Sequence, residues 1–366
     1  MKIGVDAGCL GILDERLQVG VYHVAKNVLE QLAILDTTNQ YLLYSFHPID
    51  PVLMKRFGKR MKNIVVRPTI GWTKFALPIQ LSRDRIDVFL GLNQSLPQYY
   101  SWQKKYKTAV VFYDLAFETH PRNYSESFKK MHRHSLYAAQ MADKIIAISQ
   151  STKNDIMHTF HIPDDAIRVS YLGIRTFPLS RNELNITTNP YFLFVGAYKP
   201  GKNIPTLLKA FEAFLTLSEK SYDLVLVGGN KWLDPEIELC LQTLSEKTKQ
   251  HIKQVGFLPD EQLAMLYAHA QAFVSPSLYE GFGLGFVEAM SYGCPVIGSD
   301  IPVLREVIGS AGVLVDPQDV NLLARTMHDV MANDNLRKKM CEASRMRAKQ
   351  FSWKKFGKDV MEVLVA

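Results

Sequence analysis

Short apolar runs recur along the chain with longer amphipathic stretches between them, and the pattern starts twice. The first set lies at residues 2–6, 41–46, 64–67, 87–90, 108–113, 144–148 and 168–171. Most of these runs are unbroken, without in-out alternation, which suits strands covered on both faces by helices. Helical spacing fills the intervals at 21–33 and 127–141, and Ser149-Gln150-Ser151-Thr152 reads as a cap before a helix over 153–160. The pattern resumes with strands predicted at 191–196, 224–228, 253–257, 272–275, 295–299 and 312–315. Helices fit between them at 204–217, 235–247, 260–270 and 283–292. The polar, aperiodic stretch 179–189 separates the two sets, and 352–363 reads as a capped amphipathic helix with Trp353 near its start.

Such alternation predicts an α/β protein with two doubly wound parallel sheets. The expected division is a first domain over 1–178, a linker at 179–190, a second domain over 191–345, and a C-terminal helical segment at 346–366 that can return to the first domain. Open parallel sheets bind ligands outside the carboxyl ends of their strands. Two such sheets facing each other are expected to hold a site in the cleft between them. The chemistry is therefore sought in the loops that follow the strands.

Charge narrows the partners. Residues 1–175 carry 23 Lys and Arg against 15 Asp and Glu, while the remainder carries 20 against 21. A basic first half suits anionic lipid or phosphorylated substrates, and no nucleic-acid-binding motif appears. The densest cluster is Lys55-Arg56-Phe57-Gly58-Lys59-Arg60-Met61-Lys62. Its charges can attract lipid headgroups while Phe57 and Met61 insert shallowly, or it is simply a solvated face. Cys9, Cys240, Cys294 and Cys341 have no metal or redox spacing, as expected of reduced thiols in a cytosolic protein. No signal-peptide pattern and no apolar run of about 18–20 residues is present. These features predict a cytoplasmic protein, with peripheral contact at the inner membrane face as the lipid-binding option.

The most informative segment is Ser275-Pro276-Ser277-Leu278-Tyr279-Glu280-Gly281-Phe282-Gly283-Leu284-Gly285-Phe286-Val287-Glu288. A strand ends, a glycine-rich loop follows, and a helix starts near Gly283. Free N–H groups and the positive dipole end of a helix favour phosphate, and glycines let a ligand approach the backbone. Glu280 precedes the helix and Glu288 lies within it, so two carboxylates can grip hydroxyls at opposite ends of an extended ligand. A sugar and a ribose joined by a diphosphate have that shape. A glycine-rich turn with two solvated glutamates stands beside this on spacing alone.

The pair Glu280 and Glu288 resembles the two-glutamate motif of retaining GT-B glycosyltransferases. The wider run 276–316, with Gly293-Cys294-Pro295-Val296-Ile297 and Ser299-Asp300-Ile301-Pro302, resembles glycosyltransferase family 4. The resemblance spans nearly the whole chain and implies the GT-B fold, a nucleotide diphosphate sugar donor, and transfer to a glycan or lipid-linked acceptor. It places Glu280 by the transferred sugar and Glu288 on the ribose. The backbone of Gly281, Phe282, Gly283 and Leu284 is implied to serve the sugar and diphosphate.

Further positions follow from the same resemblance. In Val195-Gly196-Ala197-Tyr198-Lys199-Pro200-Gly201-Lys202-Asn203, Lys202 is in register as the diphosphate lysine and Lys199 is its substitute. The family's usual arginine is missing, since Ala197 and Gly201 occupy its alternative positions. Gly20 matches the N-terminal glycine loop. Val111-Phe112-Tyr113-Asp114-Leu115 resembles a strand-end His-Asp-Leu pattern, with Tyr113 in the histidine's place, Asp114 retained, and His120 in the following loop. Lys231 and Leu258 are implied to border the nucleotide. The style of the first half resembles bacterial mannosyltransferases of surface polysaccharide assembly, so mannose from GDP-mannose is the expected donor. No metal-ligand pattern accompanies the motif, and no essential metal is expected. A nucleotide-sugar epimerase of the same fold, or a catalytically degenerate sugar-binding member, are the alternatives.

Overall fold

The computed structural model describes residues 1–12, 20–98, 106–119, 128–179, 186–228 and 234–366. The chain divides into two compact units, one of Met1–Gly173 with Ser352–Ala366 and one of Ile174–Phe351. In the first unit, strands β1 (Lys2–Asp6), β2 (Gln40–Ser45), β3 (Met61–Val65), β4 (Val88–Gly91), β5 (Lys107–Phe112), β6 (Lys144–Ala147) and β7 (Ile167–Val169) form one sheet. Their order is β3-β2-β1-β4-β5-β6-β7, and every pairing is parallel. The second unit contains β8 (Tyr191–Val195), β9 (Asp223–Val227), β10 (Ile252–Gly256), β11 (Ala272–Ser275), β12 (Val296–Ser299) and β13 (Val313–Val315). Their order is β10-β9-β8-β11-β12-β13, again all parallel. Each sheet reverses direction once, between β1 and β4 and between β8 and β11. Such reversals open a crevice at the carboxyl ends of the two neighbouring strands.

The unbroken apolar runs account for this architecture. Every residue of β4, β9, β11 and β12 is buried, so helices cover both faces of the central strands. In the second unit the helix Ile204–Leu217 buries Ile204, Leu207, Leu208, Phe211 and Phe214, one face of the helical period. Phe214 meets Phe192 of β8 edge to face, with ring centroids 5.0 Å apart.

Several sequence expectations are corrected. The helix expected over 235–247 is two helices, Pro235–Thr243 and Glu246–Gln250. Leu244 leaves the helical region, and the Ser245 hydroxyl accepts from the Thr248 amide to cap the second helix. The strand expected at 64–67 lies earlier because its pairing runs from Met61 opposite Tyr41 to Val65 opposite Ser45. Helices Pro51–Phe57, Leu77–Asp84, Pro302–Ile308, Val320–Ala332 and Asp334–Ala348 had no counterpart in the sequence reading. In the basic cluster Phe57 is 2% and Met61 4% exposed, so neither can insert into a bilayer. Both belong to the core, while Lys55, Arg56, Lys59, Arg60 and Lys62 remain exposed. Residues 180–185 of the expected linker lie outside the described residues. No helix among the described residues is long and apolar enough to cross a membrane. All four cysteines are unpaired, with Cys240 and Cys294 buried.

After the second unit the chain re-enters the first at Ser352, which caps the helix Trp353–Val365. This helix buries Trp353, Phe356, Val360 and Leu364 and packs on the helix Gly20–Leu35. Arg168 of β7 pairs with Asp359 at 2.6 Å and Glu362 at 2.7 Å, and the Ser170 hydroxyl donates to Asp359. The last helix fits closely over Gly173, where a Cβ would lie 2.2 Å from the Trp353 backbone nitrogen. Backbone cannot give way as a flexible side chain can. Gly173→Ala is therefore expected to cost about 3 kcal/mol of unfolding free energy, the upper part of the range for overpacking. Chemical denaturation measures this, and an unchanged midpoint would contradict the seating of the last helix.

Candidate active site

The reversal point of the second sheet brings together the loops that follow β8 and β11. Pro200–Lys202 forms a single helical turn after β8, and Asn203 then adopts a left-handed conformation at φ 53°. In that conformation its side-chain amide donates to the Pro276 carbonyl at 3.0 Å and the Pro317 carbonyl at 2.7 Å. The Leu278 amide also donates to the Gly201 carbonyl at 2.9 Å. Loops that are remote in sequence are thereby fixed side by side.

On this frame Lys202 Nζ stands 2.5 Å from Glu280 Oε1. The Ser277 hydroxyl donates to the same oxygen at 2.8 Å and is itself held against Ser275 at 2.9 Å. The Lys202 and Glu280 side chains are 26% and 13% exposed, so the pair is sheltered yet reachable. Oε1 is committed to these two partners, and no hydrogen bond or ion pair among the described residues engages Oε2. The outer oxygen can accept from a ligand hydroxyl, while Lys202 keeps ammonium protons for a phosphate.

Three residues beyond Glu280, Gly283 takes φ 86° and starts the helix Leu284–Ser291, which no side chain caps. A Cβ at Gly283 would be strained by the left-handed backbone and would meet Leu304 at 2.9 Å. Among the described residues no bond engages the Leu284 and Gly285 amides, which are left for an electron-rich ligand. Phe282 turns its ring inward, edge to face with Phe351 at 5.5 Å. Only its backbone can serve a ligand.

Glu288 lies within this helix and is 6% exposed. Arg175 Nε donates to Glu288 Oε1 at 2.9 Å, and its Nη2 stands 2.8 Å from the same atom. The Tyr267 hydroxyl donates to Oε2 at 3.3 Å. Asp260 lies 3.5 Å from the far side of the guanidinium, and the Phe177 ring lies beneath it. Arg175, Phe177, Asp260, Leu263, Glu288 and Tyr292 line a small, partly open pocket. Burial pushes the Glu288 carboxyl above its ordinary pKa, and Arg175 only partly offsets it. Burial also opposes the charge on Arg175, but Glu288 and Asp260 outweigh it and hold the guanidinium protonated.

Sequence reasoning missed Arg175. It sought an arginine at positions 197 or 201, beside Lys202. Arg175 is a lone cation just past β7, and its partner lies 113 residues away. No periodicity or motif signals such a pair.

The other expected residues fall elsewhere. Leu258 is half-buried after β10, next to an exposed Phe257, and Lys199 is exposed after β8. Gly20, Tyr113 and Asp114 belong to the first unit. Gly20 opens the helix Gly20–Leu35 with open space where a side chain would stand. The Tyr113 hydroxyl is turned inward and donates to the Leu92 carbonyl at 2.7 Å. Asp114 Oδ1 accepts from the Ala116 amide at 3.0 Å, capping the short helix Ala116–Thr119. Gln94 accepts from both the Tyr113 and Asp114 amides, which ties the ends of β4 and β5 together. Close to this strand end Asp6 is buried, and burial raises its pKa to about 6. His120 and Lys231 lie outside the described residues.

Two doubly wound parallel sheets in one chain make this a protein of the GT-B fold. Solved structures share this fold across the whole chain. Sucrose-phosphate synthase from Thermosynechococcus elongatus matches with a TM-score of 0.77 and 20% identity, covering 99% of this chain and 98% of that one. HepE from Anabaena, solved in complex with UDP and glucose, matches with a TM-score of 0.76 and 18% identity over 100% and 99%. Residues 176–347 match the family described as Glycosyl transferases group 1. O-antigen chain mannosyltransferase B of Escherichia coli is 31% identical over 271 residues, 70% of each chain. The serotype-specific mannosyltransferase WbdA of Escherichia coli is 28% identical over 263 residues, and the chain spans 32% of its length. The protein belongs to the group 1 glycosyltransferases and is an enzyme of that family.

A phosphate set against the Lys202 ammonium would be held by charge, so Lys202→Ala is expected to weaken binding of a nucleoside diphosphate far more than of the bare nucleoside. A charged hydrogen bond is worth about 1.5–3 kcal/mol, which predicts a change of about tenfold or more in the ratio of the two affinities. Titration calorimetry with both ligands measures it, and an unchanged ratio would remove Lys202 from the phosphate site.

Proposed function

We propose that the enzyme transfers mannose from GDP-mannose to a glycan or lipid-linked acceptor, with retention of anomeric configuration. The observation that carries this is the seating of Glu280 by Lys202 and Ser277, with no partner on Oε2 among the described residues, just before the uncapped helix at Gly283. The mannosyl donor is favoured because the sequence relatives are named mannosyltransferases.

In this scheme Glu280 Oε2 accepts from a sugar hydroxyl and Glu288 Oε2 from a ribose hydroxyl. The bond between the anomeric carbon and the phosphate oxygen breaks. Lys202 and the N-terminus of Leu284–Ser291 stabilise the charge that develops on the diphosphate, the kind of preorganised electrostatics that dominates many rate enhancements. The acceptor oxygen bonds to the anomeric carbon on the same face, and its proton passes to the departing phosphate. Retaining glycosidases place a carboxylate nucleophile close to the sugar. Glu280 is given no such role, because its inner oxygen is committed to Lys202 and Ser277. The charge at the diphosphate comes from the chain itself, so the scheme requires no metal ion.

The two glutamates should then fail differently. Glu280→Ala is expected to lower kcat about a hundredfold with little change in donor KM, as loss of alignment at the reacting sugar does. Glu288→Ala is expected to raise the donor KM about tenfold or more, because its contact is made in ground and transition states alike. Steady-state kinetics with GDP-mannose and a mannosyl acceptor measures both, and equal, negligible effects would remove the pair from the site.

The acceptor side is proposed to meet an anionic membrane at the cytoplasmic face. Support comes from the charge surplus of residues 1–175 and from the exposed Lys55, Lys59 and Lys62. Arg56 contributes less, being paired with Glu30 at 2.8 Å. With Phe57 and Met61 buried, the apolar component passes to Ile70, Phe75 and Ile79 in the same unit, 88%, 58% and 51% exposed. Each basic residue near an anionic surface contributes about 1 kcal/mol. Replacing Lys55, Lys59 and Lys62 by Gln should therefore reduce sedimentation with anionic vesicles, and raised salt should do the same. Equal recovery with neutral and anionic vesicles would exclude this surface.

A further inference from the structure

Glu288 poses a physical problem for any role in gripping a ribose. It is 6% exposed inside a helix whose neighbours Phe286, Val287, Ala289 and Met290 are also buried. A carboxyl so placed loses its hydration and drifts toward the neutral form. A neutral carboxyl gives up one of its acceptor oxygens to an O–H and becomes a weaker partner for ligand hydroxyls.

We infer that Arg175 is the positioning residue of the nucleotide site, holding Glu288 ionised and turning it so that Oε2 is the oxygen presented to the ligand. Two guanidinium nitrogens converge on Oε1, at 2.9 and 2.8 Å. The Tyr267 hydroxyl steadies Oε2 from one side at 3.3 Å and leaves it a further acceptor position. Arg175 is itself held from three directions. Asp260 faces its outer edge at 3.5 Å, the Phe177 ring centroid lies 5.5 Å from its central carbon, and its chain segment is fastened to the end of the Glu288 helix. That fastening is a clasp, since the Phe177 amide donates to the Tyr292 hydroxyl at 2.8 Å and that hydroxyl donates back to the Phe177 carbonyl at 3.1 Å. The Tyr292 ring in turn stacks on Tyr267, with centroids 6.0 Å apart and planes 5° apart. The charged or titratable groups around Glu288 are therefore Arg175 from the segment after β7, Asp260 and Tyr267 from the helix Asp260–His269, and Tyr292 from the end of its own helix. Among the described residues, Arg175 is the one cation in this set. Asp260 is a second carboxylate, which makes the arginine more necessary, because without it two acidic groups would face each other across a small cavity.

The inference rests on Glu288 being a ribose ligand, and the experiment separates the two. Affinity for GDP is measured by titration calorimetry between about pH 6 and pH 9, the span over which an unpaired buried glutamate titrates. The wild type is compared with Arg175→Gln, Arg175→Lys and Glu288→Gln, and results are read as the ratio of variant to wild-type Kd. That ratio cancels the titration of the ligand's own phosphate. Arg175→Gln keeps hydrogen-bond donors but not the charge. It should raise the ratio about tenfold or more near pH 6.5 and let it fall back toward one as the pH rises and Glu288 ionises. Arg175→Lys keeps the charge on a flexible stem and should give a small, pH-independent ratio. Glu288→Gln should weaken GDP at every pH. If Glu288→Gln leaves GDP affinity unchanged, the ribose role fails and the inference with it. If Glu288→Gln weakens GDP while Arg175→Gln matches the wild type, or loses the same factor at all pH values, Arg175 gives structural support only and the inference is overturned. Should the glutamine variant not fold, the lysine variant decides alone, since a ratio that varies steeply with pH in a variant that retains the charge overturns it as well.

Discussion

The amide of Asn203 is the tie on which the site depends. It bridges the carbonyls that follow β11 and β13 from a position just after β8, and it does so from a left-handed backbone that asparagine tolerates better than most residues. Lys202 ends a single helical turn and Glu280 stands on a loop, and such connections are the least constrained parts of a parallel sheet. A buried carbonyl left without a donor is costly, so the Asn203 bonds are hard to relinquish and the loops cannot drift apart without losing them. The short contact of Lys202 with Glu280 is a consequence of this scaffold more than a contributor to it. An ion pair so arranged can exchange its partners for those of a ligand without loosening the fold.

Much of the architecture was legible in sequence because buried parallel strands announce themselves. Runs such as 224–228 and 108–113 have no polar side to hide, and β9 and β5 fall within a residue of them. What the sequence concealed was the helices that begin with proline or follow a capping Asp or Asn. Pro51–Phe57 and Pro302–Ile308 are only seven residues long, too short for a helical period to stand out. Val320–Ala332 and Asp334–Ala348 are longer, but Asn333 between them serves as the end of one and the cap of the next, so their patterns run together. The break at Leu244 is of the same kind, a change of backbone direction carried by one residue with no glycine or proline to mark it.

Within the candidate site, the two glutamates were expected from one dense local motif and Lys202 from a second, 78 residues away in the chain. Arg175 was not, because its meaning is created by folding: only the approach of the segment after β7 to the helix Leu284–Ser291 makes it the counter-ion of Glu288. Phe57 and Met61 illustrate the converse. In sequence they look like apolar residues offered among charges. In the fold one is the last buried residue of a short helix and the other the first residue of β3, so the basic stretch is a strip of surface charge with its apolar members turned inward.

The return of the chain at Ser352 bears on how the protein comes to be made. The second unit is a continuous stretch of sequence, inserted between Gly173 and a last helix that belongs to the first. During synthesis, units tend to fold as they emerge, from the N-terminus onward. Here that order is reversed in part. The second unit can close as soon as Phe351 leaves the ribosome, whereas the first must wait, with the surface meant for Trp353, Phe356, Val360 and Leu364 uncovered, until the whole of the second has been translated. The unit that begins first is the one that finishes last, and its exposed apolar groove is the stretch of this molecule that a chaperone would meet.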